Sequence, residues 1–322
     1  MGSINEIKAS ELNTDAFINE KAQEISDAVG EGLAINALSG GVDSSAVTML
    51  GHRALGDRLK TYFIDNGIMR EGEPQRIAEL FKQLGVHVEI LDGRKAFFSA
   101  LKGLTDPEEK REAITQTFYK DIFGKLVKDS GAKYLLQGTI LTDVDETIAG
   151  IKRQHNVFEQ LGIDPEQAFG YQIIEPLVQL RKDGVRKLAE ALGLPEEIYN
   201  RPPFPGPALA ARVIGAVTED KISVVRTATS IVEEELSSLG AFQYMAILHE
   251  DRVTGMRDGK RDFGSQIELR CWDSIDAREA KPTQVPYEIL YKLANRIVDT
   301  VPGVVSVTYN VTCKPPSCME AI

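Results

Sequence analysis

The sequence predicts an α/β protein in which a doubly wound parallel sheet is followed by a smaller α+β domain. Three observations predict it. Residues 33–55, LAINALSGGVDSSAVTMLGHRAL, pass from a short apolar run through a glycine turn into a helical pattern. Apolar runs of strand length then alternate with helical spacing as far as residue 192, the pattern of successive βαβ units. Finally, NRPPFPGP (200–207) sets four prolines and a glycine in one short stretch, a stiff, extended boundary after which the pattern changes. The domains expected are therefore 1–200 and 208–322.

The elements follow in order. Residues 4–30 carry Ile4, Ile7, Leu12, Phe17, Ile18, Ala22, Ile25 and Val29 at loose three-to-four spacing, a helical lead-in. Leu33–Leu38 reads as a buried strand, and a helix restarts near Ser44 with Ala46, Val47, Leu50 and Leu55 on one side. Further strands are expected at 59–65, 86–91, 133–136 and 171–177, giving five, with helices at 74–84, 108–130 and 183–192. Residues 148–170 mix glycine with polar residues and read as a long connection of the kind that acts as a lid. Beyond the boundary the pattern gives a strand at 210–217 and a helix at 219–239. Strands at 242–249, 252–257 and 263–272, a helix at 286–299 and a strand at 304–312 complete it.

Composition narrows the function classes. The chain has 322 residues, 43% hydrophobic and 26% charged, as in a globular protein with a sizeable core. Lys and Arg total 37 against 48 Asp and Glu, a net charge of -11, which argues against broad nucleic-acid binding. No apolar run approaches membrane-spanning length, and the first residues lack the basic-then-apolar pattern of a signal peptide, so the expected location is cytoplasmic. The three cysteines, Cys271, Cys313 and Cys318, cannot all pair within one chain, and no CxxC occurs.

The chemistry concentrates in SGGVDSS (39–45). Gly40 and Gly41 let the main chain approach a ligand, and the N–H groups opening the next helix favour phosphate. Ser39, Ser44 and Ser45 add hydroxyl donors, whereas Asp43 would repel phosphate unless a divalent cation lay between them. The loop is therefore an anion cradle with an Mg²⁺ anchor, and it lacks the GxxxxGK[ST] of a Walker A loop. Asp65 ends a strand beside a glycine turn, where open α/β sheets bind ligands. Asp143, Asp145 and Glu146 cluster at another strand end, and one or two of them, Asp143 foremost and Glu146 next, would complete a metal site with Asp43. Lys152 and His155 are the candidates within the 148–170 connection. Lys182, opening a helix, would face a leaving pyrophosphate.

SGGVDSS resembles the PP-loop of ATP pyrophosphatases, which cleave ATP to AMP and pyrophosphate while activating a substrate oxygen. More of the chain, from about 20 to 320, is similar to the ATP pyrophosphatase half of the GMP synthetase family. FIDNGIMREGE (63–73) resembles its second ATP-pocket motif, QGTILTDVDET (137–147) its acidic strand end, and IKRQHNV (151–157) its lid motif, normally IKSHHNV. IIEPLVQLRKDGVR (173–186) matches the stretch whose lysine, here Lys182, contacts phosphate. RPPFPGPAL (201–209) resembles RHPFPGPGL, and VTCKPPSCMEAI (311–322) resembles ITSKPPATIEWE.

The resemblance implies an adenine-nucleotide-binding fold of PP-loop type that uses ATP and Mg²⁺. Ser39, Gly40, Gly41, Val42, Asp43, Ser44, Ser45, Asp65 and Gly138 would bind ATP. Asp43, Lys182, Lys152 and His155 would act in catalysis, and Arg201, Pro205, Gly206, Lys314 and Glu320 would hold the second nucleotide. The oxygen O2 of xanthosine monophosphate would attack the α-phosphate, and ammonia would then displace AMP to give GMP. A separate glutaminase subunit or free ammonia would supply the nitrogen, and the second domain would form a homodimer interface. Gln154, Pro202, Ala208 and Ala321-Ile322 depart from the family motifs, all on the acceptor side. Two other readings stay open: a paralogue adenylating a different nucleotide or base for amination or sulfur transfer, with Cys313 and Cys318 flanking the KPP string, and a non-catalytic nucleotide sensor.

Overall fold

In a computed structural model, residues 4–148, 171–257, 259–275 and 277–321 are described. The chain forms two compact units, one comprising 1–65, 73–92 and 115–201, the other 66–72, 93–114 and 202–322.

The first unit is a five-stranded, wholly parallel sheet. Its strands are β1 (Ala34–Ala37), β2 (Leu59–Asp65), β3 (Val88–Asp92), β4 (Tyr134–Leu136) and β5 (Gln172–Ile174), in the order β3-β2-β1-β4-β5. That order runs outward in opposite directions from β1 and β4, so the switch point lies between them, where open sheets of this class hold ligands beyond the carboxyl ends of the strands. Leading in is α1 (Thr14–Val29), which starts at Asn13, whose Oδ1 accepts from the Ala16 amide at 3.1 Å. That cap fixes the start, and residues 4–13, expected to be helical, precede it outside any helix.

Helix α2 (Val42–Leu55) follows β1 through the Ser39–Gly41 turn. A buried polar chain locks it to the sheet: Thr61 Oγ1 donates to Asn36 Oδ1 at 2.8 Å, and Asn36 Nδ2 donates to Thr48 Oγ1 at 2.6 Å. Such a chain is stable in an apolar layer only because its members satisfy one another. At Gly51 the packing leaves no room for a side chain, since a Cβ there would lie 2.5 Å from Leu136 Cδ1. The unit continues with α3 (Glu73–Gln83). The stretch expected to be a single helix is three pieces: an α-helix Pro107–Gln116, which belongs to the second unit as far as Ile114, then in the first unit a π-helical segment Thr117–Phe123 and a last α-helical segment Gly124–Ser130. After β4 come the helices Leu141–Ile148, Lys182–Ala191 and Glu196–Tyr199.

The second unit is built on a long hairpin, β6 (Gln243–Arg257) and β7 (Lys260–Asp273). A register shift between Leu248 and Arg252 interrupts the ladder, so the two strand candidates 242–249 and 252–257 are one irregular strand. Along β7, β8 (Lys281–Pro282) pairs antiparallel and β9 (Val304–Tyr309) parallel. Two helices complete the unit, Glu219–Leu236, capped by Thr218, and Tyr287–Thr300. Ile222, Val225, Val232, Met245, Ile247, Leu293 and Ile297 are fully buried in its core. Residues 210–217 are not a strand. Ala208–Arg212 is a 3-10 turn, and only Val213 bridges to Leu248.

Candidate functional site

The parallel sheet brings the end of β1 and the end of β4 to the same side, and the Ser39–Ser45 turn lies there. Gly40 has φ +79°, a conformation that glycine adopts without strain. Gly41 is the N-cap of α2 with extended backbone, so the first amides of the helix point out of the turn. Serine hydroxyls fix its shape: Ser44 Oγ donates to the Gly41 carbonyl at 3.1 Å, accepts from the Ser39 amide at 3.2 Å, and lies 3.0 Å from Ser39 Oγ. Val42 and Ser45 are buried, and the Ser45 hydroxyl has no hydrogen-bond partner among the described residues. Ser39 and Ser44 therefore present hydroxyls at the loop, while Val42 contributes main chain only.

From the other side of the switch point Gly138 closes on this loop. A Cβ at 138 would sit 3.1 Å from the Asp43 carbonyl carbon and 3.2 Å from the Ser44 amide nitrogen. Lys182, at the start of its helix, reaches Asp43 with Nζ to Oδ2 at 2.6 Å, although 139 residues separate them. The other carboxylate oxygen of Asp43 is buried and has no hydrogen-bond partner among the described residues. A carboxylate with one oxygen paired to a lysine and the other buried and unspent, beside amides suited to phosphate, is a place where anion and cation chemistry meet.

The remaining predicted residues fall as follows. Asp65 ends β2, in register with Asp92 at the end of β3. Asp143 is buried, and its Oδ2 accepts from the Ile140 amide at 3.0 Å, tying it to the turn before its own helix. Its carboxylate also lies close to Tyr119, in the π-helical segment. Burial first, then Asp143 and Glu175, push that phenol up to about 12. Asp145 pairs with Arg181 at 2.8 Å. Among the described residues no three His, Cys, Asp or Glu side chains gather as a metal site. The side chain of Glu146, and the whole of Lys152, Gln154 and His155, lie outside the described residues.

Arg201 sits in the first unit, against the cradle. Its Nη2 is 2.5 Å from Glu73 Oε1, and its Nη1 donates to the Gly40 carbonyl at 3.4 Å.

Within the second unit the proline-rich segment and the C-terminal segment come together. Gln243 Nε2 donates both to the Pro203 carbonyl at 3.1 Å and to Glu320 Oε1 at 2.7 Å. Arg212, almost wholly buried, faces Glu320 Oε2 at 3.7 Å and lies over the Phe204 ring at 4.7 Å. The Arg70 guanidinium lies 3.7 Å from the same ring. Arg270 gathers the tail, donating through Nη1 to the carbonyls of Cys318, Met319 and Glu320. Pro205 accepts from the Ala208 amide at 2.9 Å, so Gly206 lies inside a tight turn. Ala208 has φ +52° where the resembling motif carries glycine, a left-handed conformation that a Cβ disfavours. Lys314 donates to the Ala277 carbonyl at 2.8 Å and pairs its backbone with Ala280. The sequence did not single out Arg212, Gln243 or Arg270, and Glu73 stood only as the last residue of FIDNGIMREGE. Arg212 alone left a signal, as the single charged residue in an apolar stretch. Cys313 and Cys318 are exposed and free, and Cys271 is buried.

The strand–SGGVDSS–helix unit on a parallel sheet, with Gly138 and Lys182 closing on Asp43, defines an α/β nucleotide-binding protein of the ATP pyrophosphatase, PP-loop class. Comparison with known proteins makes this specific. A family described as "GMP synthase C terminal domain" matches residues 231–321. The chain is 46% identical over 309 residues to a subunit of the glutamine-hydrolyzing GMP synthase of Pyrococcus furiosus, covering 95% of this chain and 97% of that protein. It is 44% identical over 309 residues to the corresponding subunit in Archaeoglobus fulgidus, covering 96% and 99%. The corresponding subunit in Methanocella arvoryzae is 46% identical over 310 residues, covering 96% and 99%. The chain belongs to this family of GMP synthase subunits.

Proposed function

We propose that this chain is the synthetase subunit that aminates xanthosine monophosphate to GMP with ATP, releasing AMP and pyrophosphate. The observation that carries the reading is the Lys182–Asp43 pair at the mouth of the Ser39–Ser45 loop. In this reading the loop amides and the hydroxyls of Ser39 and Ser44 bind the triphosphate. Lys182 would follow negative charge onto the departing pyrophosphate, a role its pairing with Asp43 at the loop supports. The O2 of the acceptor forms a bond to the α-phosphorus as the bond to the β-phosphate oxygen breaks. Ammonia then adds at C2, and AMP leaves.

The unpartnered Asp43 oxygen fits a hard divalent cation, with Asp143 and Glu146 as further candidates. Bound there, Mg²⁺ would neutralise phosphate charge beside the cradle. On the acceptor side, Pro205, Gly206, Lys314 and Glu320 would hold the nucleotide, with Glu320 oriented by Gln243 and Arg212. Lys152 and His155 would belong to the cover that keeps water from the adenylated intermediate. Nitrogen would come from a separate glutaminase subunit or free ammonia. Exposed Met256, Phe263, Tyr287 and Tyr291 in the second unit support a homodimer face there.

Incubation with Mg-ATP and ammonium, with and without xanthosine monophosphate, tests the reading through AMP, pyrophosphate and GMP. AMP and GMP in equal amounts, both abolished in Asp43→Ala, are expected. ATP binding without acceptor-dependent AMP would refute it.

A further inference from the structure

Arg201 and Glu73 lie in one corner of the first unit, behind the cradle. Glu73 opens α3 and is 1% exposed, so its carboxylate needs a charged partner, and Arg201 Nη2 meets it at 2.5 Å. The other end of the guanidinium holds the Gly40 carbonyl. Ile77, one helical turn beyond Glu73, supports the same glycine: its Cγ1 would be 3.2 Å from a Cβ at position 40. One ion pair and one apolar contact from the first two turns of α3 thus bear on a single residue of the loop.

The consequence follows from the peptide group. The Gly40 carbonyl and the Gly41 N–H belong to one planar unit and point in opposite directions. Holding the carbonyl on the Arg201 side turns the Gly41 N–H into the loop, where it meets Ser39 Oγ at a loose 3.4 Å. With φ of +79°, Gly40 has a glycine's freedom to rotate that plane, and so needs something to stop it.

We infer that Glu73 and Arg201 are positioning residues that set the Gly40–Gly41 peptide for the phosphates of ATP, so that Arg201 serves the ATP side and not the acceptor nucleotide. The inference rests on the ATP-binding part of the proposed function and not on the identity of the acceptor.

Equilibrium binding tests it with three probes, Mg-ATP, inorganic pyrophosphate and adenosine. The proteins are the wild type, Glu73→Gln, Arg201→Lys and the double variant. Pyrophosphate and ATP are expected to bind about tenfold more weakly to each single variant, the size of one charge-assisted hydrogen bond. The double variant should be no weaker than either single one, because both act through one peptide. Adenosine should bind unchanged, which also shows that the variants fold. Unchanged pyrophosphate affinity, or equal losses for adenosine and pyrophosphate, would overturn the inference. So would Arg201→Lys losing xanthosine monophosphate while ATP is retained. A wild-type protein that binds no ATP would instead sink the proposed function on which the inference stands.

Discussion

Replacing Gly138 with alanine probes the site with a single methyl group. The new Cβ would lie 3.1 Å from the Asp43 carbonyl carbon, 3.2 Å from the Ser44 amide nitrogen and 3.3 Å from Asp43 Cβ. The first two are backbone atoms and cannot rotate aside, so the start of α2 must retreat by a few tenths of an ångström. Overpacking of this kind costs about 1–3 kcal/mol of stability. A displacement of ~1 Å in a reacting group costs on the order of a hundredfold in rate, so a few tenths should cost about tenfold in kcat/KM for ATP. Initial rates of AMP formation across ATP concentrations, at saturating acceptor, measure the loss, and urea unfolding measures the stability. The KM for xanthosine monophosphate should not move. Wild-type kcat/KM for ATP together with wild-type stability would refute the reasoning, because it would mean that residue 138 does not abut Asp43.

Two further outcomes are expected. Gly184→Ala, in the helix that carries Lys182, should raise stability by about 0.5–1 kcal/mol, since its Cβ meets only Leu180 at 3.5 Å and alanine favours helix over glycine. A lower urea midpoint would contradict that packing. Burial pushes the Glu268 carboxyl up, but hydrogen bonds from Arg270, Asn310 and His249 outweigh it and hold the group below the usual carboxylate range. Its contribution is therefore fully present above the unfolded value of about 4.3 and is lost as pH falls through the lower folded value. Glu268→Gln should flatten the acid limb of a stability–pH curve, and an unchanged slope below about pH 4 would exclude this role.

Strand β2 was legible because seven residues of mostly apolar, β-favouring type end on Asp65 beside a turn. The turn between β1 and α2 was legible because its signal is local: glycines, serines and an aspartate within seven positions of one loop. Residues 210–217 were misread because Ala208, Leu209, Ala210, Ala211, Arg212 and Val213 are all buried, and uniform burial erases the periodicity that separates strand from turn. The Lys182–Asp43 pair, the Arg201–Glu73 pair and the Arg270 cluster join residues far apart in sequence, and no spacing rule reports such meetings. Strand β8, two residues long, exists only because β7 offers it an edge.

The chain crosses from one compact unit to the other at 65/66, 72/73, 92/93, 114/115 and 201/202. The proline-rich segment looks like a seam, but severing it would detach neither half. A fragment beginning at 202 would lack 66–72 and 93–114, and with them Arg70, beside Phe204, and Lys110, whose buried ammonium holds the Val213 carbonyl at 3.0 Å. A fragment ending at 201 would carry those two stretches, the second of them largely helical, stripped of their packing. The molecule is stitched rather than hinged in its covalent plan, so neither half can be shuffled onto another protein by a single splice.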